Sequence, residues 1–394
     1  MRTDFIEQLK AQQLARQEAG LFRSRMTLNS PQETHVSIDG QDFLAFCSND
    51  YLGFANHPAL IEAAVDGAQR YGVGAGASHL ISGHSAAHHQ LEEALASFVG
   101  FPRVLLFSTG YMANLGVVTA LLGRGDAVFA DKLNHASLNE AALLSRAKLV
   151  RYPHADMSVL EKRLAVSKAK RKLVMTDAVF SMDGDIAPVA DLLVLCERYD
   201  ALLLLDDAHG FGVLGTQGRG TLSSFGHGNI QSPNIIYMAT LGKAAGVFGA
   251  FVAAHPAVIE ALIQQARSYI YTTATPALLS HALLKSLSLI EQEEWRREQL
   301  KQLITQLKNE LQSLRWKLLR SSTPIQPLIV GDSKTAVQIS KALREQGILV
   351  PAIRPPTVPE GTARLRISLS ALHSEEDVKR LTAVLQNLAM QWNA

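Results

Sequence analysis

Short apolar runs alternate with helical stretches along the central part of the chain. Near-continuous apolar runs of this kind, separated by helices, are typical of strands buried on both faces of a mostly parallel sheet. The pattern therefore predicts an α/β fold. The predicted strands are RVLLF (103–107), AVFA (127–130), KLVMT (172–176), ALLLLD (201–206), IIYMA (235–239) and GAFVAA (249–254).

The two ends of the chain have different patterns. Residues 1–22 have the periodicity of an amphipathic helix, and residues 35–46 alternate around a turn, which predicts a small hairpin. A long helical segment is expected over 277–315. The elements predicted after it are PIQPLIVG (324–331), a helix near 334–346, ILVPAI (348–353), RLRISLS (364–370) and a last helix from about 374.

These patterns divide the chain into three parts. We predict an N-terminal helix and hairpin segment (1–45), a large domain (46–288) and a small C-terminal α+β domain (289–394). A chain of 394 residues is long enough for one large and one smaller hydrophobic core.

Composition excludes several classes of protein. A formal net charge of +2 gives no reason to expect nucleic acid or a membrane surface as a partner. Cys47 and Cys196 form no pair motif, and no apolar run approaches the roughly 20 residues that span a bilayer. The N-terminus lacks the apolar region of a signal peptide. We therefore expect a cytoplasmic enzyme.

Lys243 is the only charged residue in MATLGKAAGVFGAF (238–251). An amine among small and apolar residues loses solvation, which lowers its pKa and favours Schiff-base chemistry. Asp206 ends the apolar run LLLLD (202–206) and needs a buried partner, for which a protonated pyridine nitrogen is suitable. Taken alone, Asp206 is equally well interpreted as a cap of the turn that follows. Together, Lys243 and Asp206 indicate a site for pyridoxal 5′-phosphate (PLP).

A phosphate site is predicted where FSTGYMANLGVVTALL (107–122) passes from a strand into a helix. The amides of Gly110 and Tyr111 would lie at the helix N-terminus, which favours anions. Thr240, three residues before Lys243, offers a hydroxyl to the same group. Strand–turn–helix units are common, so this signal is weak by itself.

Three further residues follow predicted strands and are suitable for a cofactor ring. His135 lies in a loop and offers a flat imidazole for stacking, although the same loop also resembles a helix cap formed by Asn134 or Ser137. Ser181 and His209 are placed to reach a ring oxygen. Asp183 and Asp185 lack the spacing of a calcium loop.

Four histidines occur close together: His79, His84, His88 and His89. His84 and His88 are four residues apart and would share a helix face. Because no cysteine or suitably placed carboxylate completes the set in the sequence, we predict no metal site here. In the C-terminal region, Arg364 and Arg366 lie on one face of a predicted strand. One of them suits a substrate carboxylate, and the other an edge-strand salt bridge.

The chain resembles the α-oxoamine synthases, a family of PLP-dependent enzymes of fold type I, over nearly its whole length. The fold of that family implies a large domain with a mostly parallel, seven-stranded sheet and a smaller C-terminal α+β domain. The matching motifs are SNDYLGFANHP (48–58), GAGASHLISGHSAAHHQLE (74–92), FSTGYMAN, NHASL, VFSMDGDIAP, DDAHGFGVLGTQGRG (206–220), Lys243, YIYTTATP (269–276) and AIRPPTVPEGTARLRISLSALH (352–373).

The resemblance implies roles for individual residues. Lys243 would bind PLP as a Schiff base, Asp206 would pair with the pyridine nitrogen, and His135 would stack on the ring. Ser181 and His209 would approach the phenolic oxygen. The other implied cofactor contacts are Gly110, Tyr111, Thr240 and, across a homodimer interface, Thr272 or Thr273. The implied substrate contacts are Arg23 (with Arg25 as a second candidate), Asn49, His135, Thr357 and Arg366.

Within the family, the tail (352–373) is most similar to the member of the biotin pathway. That resemblance implies decarboxylative condensation of L-alanine with a pimeloyl thioester, carried by coenzyme A (pimeloyl-CoA) or by acyl carrier protein. Two alternatives stay open. One is a family member that uses glycine with an acetyl or succinyl thioester, and the other is a non-catalytic protein that keeps the fold.

Overall fold

The computed structural model of the chain describes residues 4–18, 21–225 and 232–392. Helices and strands are numbered in chain order. The helices are α1 (Phe5–Glu18), α2 (Pro58–Tyr71), α3 (Ala86–Val99), α4 (Gly110–Leu121), α5 (Ala136–Ser145), α6 (Met157–Ala165), α7 (Val189–Arg198), α8 (Pro256–Gln265), α9 (Arg267–Ile270), α10 (Ala277–Gln292), α11 (Glu294–Glu310), α12 (Ser333–Glu345) and α13 (Glu375–Gln391). The strands are β1 (His35–Ile38), β2 (Gln41–Ala45), β3 (Arg103–Phe107), β4 (Ala127–Asp131), β5 (Lys148–Tyr152), β6 (Lys172–Asp177), β7 (Leu202–Asp206), β8 (Ile235–Thr240), β9 (Ala250–Ala254), β10 (Lys317–Leu318), β11 (Ile325–Gly331), β12 (Ile348–Leu349), β13 (Ala352–Ile353) and β14 (Ala363–Ser368).

A seven-stranded sheet forms the centre of the large α/β unit, which confirms the predicted fold class. Its strand order is β3-β9-β8-β7-β6-β4-β5. Strand β9 pairs antiparallel with both β3 and β8, and the remaining pairs are parallel. Six of the strands lie within one residue of the apolar runs that predicted them. The seventh, β5, was missed because this edge strand carries exposed Lys148 and Arg151 and has no continuous apolar run.

Both faces of the central sheet are buried, as the near-continuous apolar strands require. Along β7, Leu203 and Leu205 belong to one hydrophobic cluster, whereas Leu204 belongs to the cluster on the opposite face. Since successive side chains of a strand alternate between faces, Asp206 follows Leu204 onto the face that is covered by α4. The alternation of β7 thus fixes which side of the sheet receives the carboxylate.

Two smaller sheets flank the large one. Strands β10, β11, β14 and β13 form a four-stranded C-terminal sheet, and β1, β2 and β12 form a three-stranded sheet. The second of these joins the N-terminal hairpin to the C-terminal region, because Ile348 pairs with Leu44. ILVPAI was predicted as one strand but is divided between the two small sheets. Pro351, which has no backbone N–H to donate, lies at the division.

The predicted single helix over 277–315 is also wrong. The segment consists of α10 and α11, which are separated at Glu293, whose φ of −97° and ψ of 59° are not helical. The Glu293 carboxylate accepts a hydrogen bond from Arg296 Nε at 2.5 Å and so stabilises the start of the second helix. The domain boundary at 288/289 stays a prediction.

The N-terminal helix is present as α1, but none of its residues is buried in the single chain. The helix predicted over residues 1–22 includes residues 1–3, 19 and 20, which lie outside the described residues. The prediction is wrong at Leu21 and Phe22, which are not helical. Within the described part of the chain, no helix is both long and apolar enough to cross a membrane.

Candidate active site

The residues predicted to bind a cofactor converge at the carboxyl edge of the central sheet. Asp206 ends β7, His135 caps α5 shortly after β4, and Lys243 follows β8. The carboxyl ends of parallel strands are the usual ligand site of open α/β sheets. The topology therefore brings together three residues that are widely separated along the chain.

Asp206 is a buried carboxylate without a cationic side chain of its own. It is 4% exposed and accepts hydrogen bonds from Asn114 Nδ2 at 2.7 Å and from the Ala208 amide at 3.1 Å. Among residues 4–18, 21–225 and 232–392, no cation forms an ion pair with it. A buried anion of this kind is costly unless a positive partner is supplied, so the site is suited to a protonated ring nitrogen.

A hydrogen-bonded chain connects Asp206 to His135. Asn114 Nδ2 also donates to Ser137 Oγ at 2.9 Å, and Ser137 Oγ lies 2.8 Å from His135 Nδ1. If the hydroxyl donates to the imidazole, Nδ1 is the acceptor and the neutral ring carries its proton on Nε2. Desolvation lowers the pKa of His135, and Asp206 opposes that shift. The predicted helix cap in this loop is His135 itself rather than Asn134 or Ser137.

Asp177, at the end of β6, contacts the loop that contains His135. Its Oδ2 accepts the backbone N–H of His135 at 2.7 Å. Burial raises the pKa of Asp177 well above the ordinary value, and the neighbouring Asp206 raises it further. Burial thus favours the protonated form of Asp177, which lies beside Asp206.

Lys243 and His209 are in direct contact. Lys243 Nζ lies 2.9 Å from His209 Nε2, and His209 Nδ1 lies 2.6 Å from Tyr51 Oη. Burial lowers the pKa of His209 well below its ordinary value, so its ring is neutral. Desolvation lowers the pKa of Lys243 to about 8, although Asp206 and Asp177 favour its charged form. An amine with this pKa is partly neutral and nucleophilic near physiological pH.

The donors and acceptors around His209 have one consistent direction. Tyr51 Oη donates to Asn49 Oδ1 at 3.2 Å, so Tyr51 accepts from the Nδ1–H of His209. His209 Nε2 is then left as the acceptor for the Lys243 amine. The hydrogen bonds that run from Asn49 through Tyr51 and His209 thus orient the amine of Lys243.

Arg366 extends this network into the C-terminal sheet. It is 6% exposed, and its Nε donates to the Ser181 carbonyl at 2.6 Å. Both of its terminal nitrogens lie 3.2 Å from Asn49 Oδ1, and Nη2 lies 3.4 Å from Tyr51 Oη. Arg364 instead pairs with Asp183 at 2.6 Å, so it is the arginine with a structural ion pair. Its strand, β14, is internal to the sheet, not an edge as predicted.

A cavity of about 580 Å³ opens beside His135. Ser181 and Thr357 also line it, together with apolar groups from Phe180 and Val358. Thr357 is exposed and lies in the loop that follows β13. The structure therefore brings the predicted substrate contacts His135 and Thr357 to one opening.

The predicted phosphate contacts lie at the start of α4. Thr109 caps this helix by accepting the Met112 N–H at 3.2 Å. Within the described part of the chain, the amides of Gly110 and Tyr111 have no acceptor. Thr240 Oγ1 donates to the Gly249 carbonyl at 3.0 Å, and its Cβ lies 4.0 Å from the position of a Cβ added to Gly110. These groups can surround a phosphate at a helix N-terminus.

Three predicted residues lie away from this network. Arg23 is exposed in a segment without helix or strand. Thr272 and Thr273 follow α9, and among the described residues no hydrogen bond links either of them to Lys243, His209 or Asp206. A single chain therefore assembles most, but not all, of the expected contacts.

Sequence reasoning missed Tyr51 and Asn114. Tyr51 lies two residues after Asn49 in a quoted motif, and Asn114 lies one helical turn after Gly110. A polar side chain on the same helix face as a phosphate-binding turn is a usable signal for Asn114. No local signal marks Tyr51, because its partner His209 is 158 residues away along the chain.

The comparisons with known proteins agree on the family to which the chain belongs. A model of the aminotransferase class I and II family matches residues 41–385. An 8-amino-7-oxononanoate synthase of Nitrosomonas europaea is 67% identical over 99% of this chain and 100% of its own length. The chain belongs to the 8-amino-7-oxononanoate synthase family. The resemblance to PLP-dependent α-oxoamine synthases is thereby confirmed.

Solved structures agree with this assignment. The high-resolution structure of a serine palmitoyltransferase with a PLP internal aldimine has a TM-score of 0.91, with 28% identity over 98% of this chain and 99% of that one. An 8-amino-7-oxononanoate synthase from Francisella tularensis has a TM-score of 0.77, with 32% identity over 89% of this chain and 99% of that one. PLP is therefore the cofactor of this chain, and the unpaired buried carboxylate of Asp206 is suited to it.

Proposed function

We propose that the chain condenses L-alanine with a pimeloyl thioester to give 8-amino-7-oxononanoate, a step of biotin biosynthesis. In this reaction the alanine Cα forms a bond to the thioester carbonyl carbon. The thiol leaves, and the alanine carboxylate leaves as carbon dioxide. The observation that supports the proposal best is the Lys243 amine, whose pKa of about 8 and contact with His209 suit a base at Cα.

PLP, when bound, supplies an electron-withdrawing ring that makes the Cα proton of a bound amino acid acidic. We propose that Lys243 attaches the cofactor and, once released, moves the Cα proton. Asp206 holds a proton on the ring nitrogen, because the carboxylate is buried and receives only neutral hydrogen-bond donors from the protein. Gly110, Tyr111 and Thr240 bind the phosphate.

Tyr51 and His209 hold the Lys243 amine in place. Since His209 is neutral and its Nδ1–H is directed to Tyr51, its Nε2 accepts from the amine at 2.9 Å. By the family resemblance, His209 and Ser181 would be the side chains that approach the ring oxygen of bound PLP. This arrangement preorganises proton transfer without a second charged group beside the lysine.

Arg366 is the proposed site for the alanine carboxylate, with Asn49 as its support. The shortest Arg366 hydrogen bond is made by Nε, whereas Nη2, within the described part of the chain, makes only the bonds of 3.2 Å to Asn49 and 3.4 Å to Tyr51. Nη2 is therefore the nitrogen that a carboxylate engages most easily. His135 orients the alanine, and Thr357 contacts the thioester substrate at the cavity of about 580 Å³.

The active site is proposed to be shared within a homodimer. Thr272 and Thr273 lie away from the Lys243 network of their own chain, and Thr273 is exposed. Contact with the cofactor phosphate of a partner subunit would explain both features. Arg23, which is exposed in the single chain, is a further proposed substrate contact. Both cysteines are free, which supports the expected cytoplasmic location.

The test is a direct assay of product mass. Purified protein loaded with PLP is mixed with L-alanine and either pimeloyl-CoA or pimeloyl-acyl carrier protein. We expect a product with the mass of 8-amino-7-oxononanoate and an equal amount of free thiol from at least one donor. Turnover only with glycine and an acetyl or succinyl thioester would contradict the proposal, and absence of turnover with all donors would favour a non-catalytic protein.

A further inference from the structure

A second group of polar side chains lies outside the proposed active site. The histidine cluster consists of His79, His84, His88, His89 and Glu92. It spans the π-helical turn His79–Gly83 and the first two turns of α3. All of these residues except His88 line a cavity of about 320 Å³, one wall of which is Tyr269. None of the proposed PLP or substrate contacts belongs to it.

The histidine cluster contains two sets of closely spaced donor atoms. The ligand atoms of His84, His89 and Glu92 lie within 4.8 Å of one another, and so do those of His79, His84 and His88. His84 belongs to both sets. His79 Nδ1 lies 3.1 Å from His84 Nδ1, a distance at which one imidazole donates its N–H to the other.

His88 positions the cluster rather than contributing a ligand. Its Nδ1 accepts the Ser85 N–H at 3.0 Å, and its Nε2 is 2.8 Å from the Thr275 carbonyl, to which it donates. Both nitrogens are thus occupied. The ring of His79 is fixed in a similar way by stacking on Tyr269, with centroids 5.1 Å apart.

The remaining donors are available to an ion. His79 and His84 face each other through Nδ1, so one ring donates its N–H to the other and keeps the lone pair of its own Nε2. With His84 as the donor, that Nε2 is available to a metal ion. One Glu92 oxygen accepts the Leu106 N–H at 3.0 Å, and among the described residues the other oxygen accepts no hydrogen bond. His89 is exposed and provides access from solvent.

We propose that the histidine cluster binds one divalent transition-metal ion of the zinc type through His84, His89 and Glu92. Two imidazoles and one carboxylate, with water as a further ligand, form a donor set that suits zinc and its neighbours in the first transition row. Glu92 is the carboxylate that sequence reasoning did not find. It lies on the same face of α3 as His88 and His89, one turn further on.

The ion would act on the segment that follows α9. His88 donates to Thr275, and the amide of Ala274 donates to the Ala77 carbonyl at 3.0 Å. Ala77 lies two residues before His79. Metal binding would therefore stiffen the connection between the histidine cluster and residues 272–275, independently of the reaction at Lys243.

Zinc binding is tested on untagged, PLP-loaded protein that has been treated with a chelator and dialysed. Zn²⁺ is titrated in competition with a chromophoric chelator, and bound metal is counted by mass spectrometry. We expect one Zn²⁺ per chain, and visible absorption of a four-coordinate type when Co²⁺ replaces it. His84→Gln and His89→Gln should each weaken binding by about 100-fold, and Glu92→Gln by about 10-fold.

His35→Gln is the matched control, because His35 is exposed and lies outside the histidine cluster. It should bind Zn²⁺ as the unchanged protein does. Circular dichroism melting identifies any variant that fails to fold. Because His89 is exposed to solvent, His89→Gln should disturb folding the least. Binding that does not saturate at one ion per chain, or that His84→Gln and His89→Gln leave unchanged, overturns the proposal and assigns these histidines to packing alone.

Discussion

His209 and His84 are both imidazoles whose pKa values are lowered by desolvation, but their partners differ. His209 lies between Tyr51 and Lys243, and the network gives each of its nitrogens a defined role. His84 faces the imidazole of His79 through Nδ1, and the ring of this pair that donates its N–H keeps the lone pair of its Nε2. Desolvation makes both rings neutral. The arrangement of neighbours then decides whether a neutral imidazole orients an amine or is available to a metal ion.

Among the predicted changes, replacement of Lys243 has the largest expected effect on turnover. Lys243→Ala removes the amine that attaches PLP and moves the Cα proton, so turnover should fall by about 10⁴-fold or more. The absorption band of lysine-bound PLP should also disappear. Zn²⁺ binding at the histidine cluster should not change. Lys285→Ala, at an exposed position on α10, is the control and should keep both the band and turnover. Retention of turnover by Lys243→Ala would contradict the proposed role of Lys243 in attaching PLP and moving the Cα proton.

Replacement of Asp206 has the next largest effect. Asp206→Asn keeps the size of the side chain but removes the negative charge that holds a proton on the ring nitrogen, so kcat should fall by about 10²- to 10³-fold. Because Asp206 raises the pKa of Lys243, that pKa should also fall below about 8. Both are measured from pH profiles of turnover and of PLP uptake. An unchanged Lys243 pKa would show that the two residues are not coupled through their charges.

The pH dependence of PLP uptake is expected to be smaller, at about tenfold. The folded pKa of Lys243 is lowered to about 8, so its neutral, nucleophilic form increases as pH rises through that value. Only about one tenth of the amine is neutral at pH 7, and about nine tenths at pH 9. The rate at which cofactor-free protein takes up PLP should rise over this range. A midpoint near 10.5 would indicate a solvated lysine instead.

Removal of the Tyr51 hydroxyl has the smallest expected effect. Tyr51→Phe leaves His209 in place but without the partner of its Nδ1, so the imidazole can change tautomer. We expect kcat to fall by about 3- to 10-fold with KM nearly unchanged, and the pH profile to shift. Tyr71→Phe, on α2, is the control. A loss confined to thermal stability, without a change in the pH profile, would make the role of Tyr51 structural.

The sequence predicted the central strands and the main cofactor residues well, because both depend on local pattern. A buried parallel strand is recognisable by its own apolar run, and Asp206 and Lys243 are each conspicuous against apolar neighbours. The edge strand β5 has no such run and was missed. The break at Glu293 was missed because helical periodicity continues across it.

Residues that act through partners distant in the sequence were found less well. Asn49 came only from the family resemblance, and the local pattern did not decide between Arg364 and Arg366 as the partner of a substrate carboxylate. Tyr51 and Asn114 were not found at all. The prediction of no metal site rested on the absence of a carboxylate, and it did not consider Glu92, which helix α3 carries to the same cavity. Each of these contacts depends on which surfaces meet, which local pattern does not record.

The sequence by itself determined the fold class, the family and the residue types available for chemistry. The tertiary structure decided their charges and partners. Folding removes water from the amine of Lys243 and lowers its pKa to about 8, although Asp206 and Asp177, which folding also brings near, oppose that shift. Arg366 and Asn49 meet although 317 residues separate them. Desolvation and electrostatic interactions depend on distance in space, so only the folded chain fixes them.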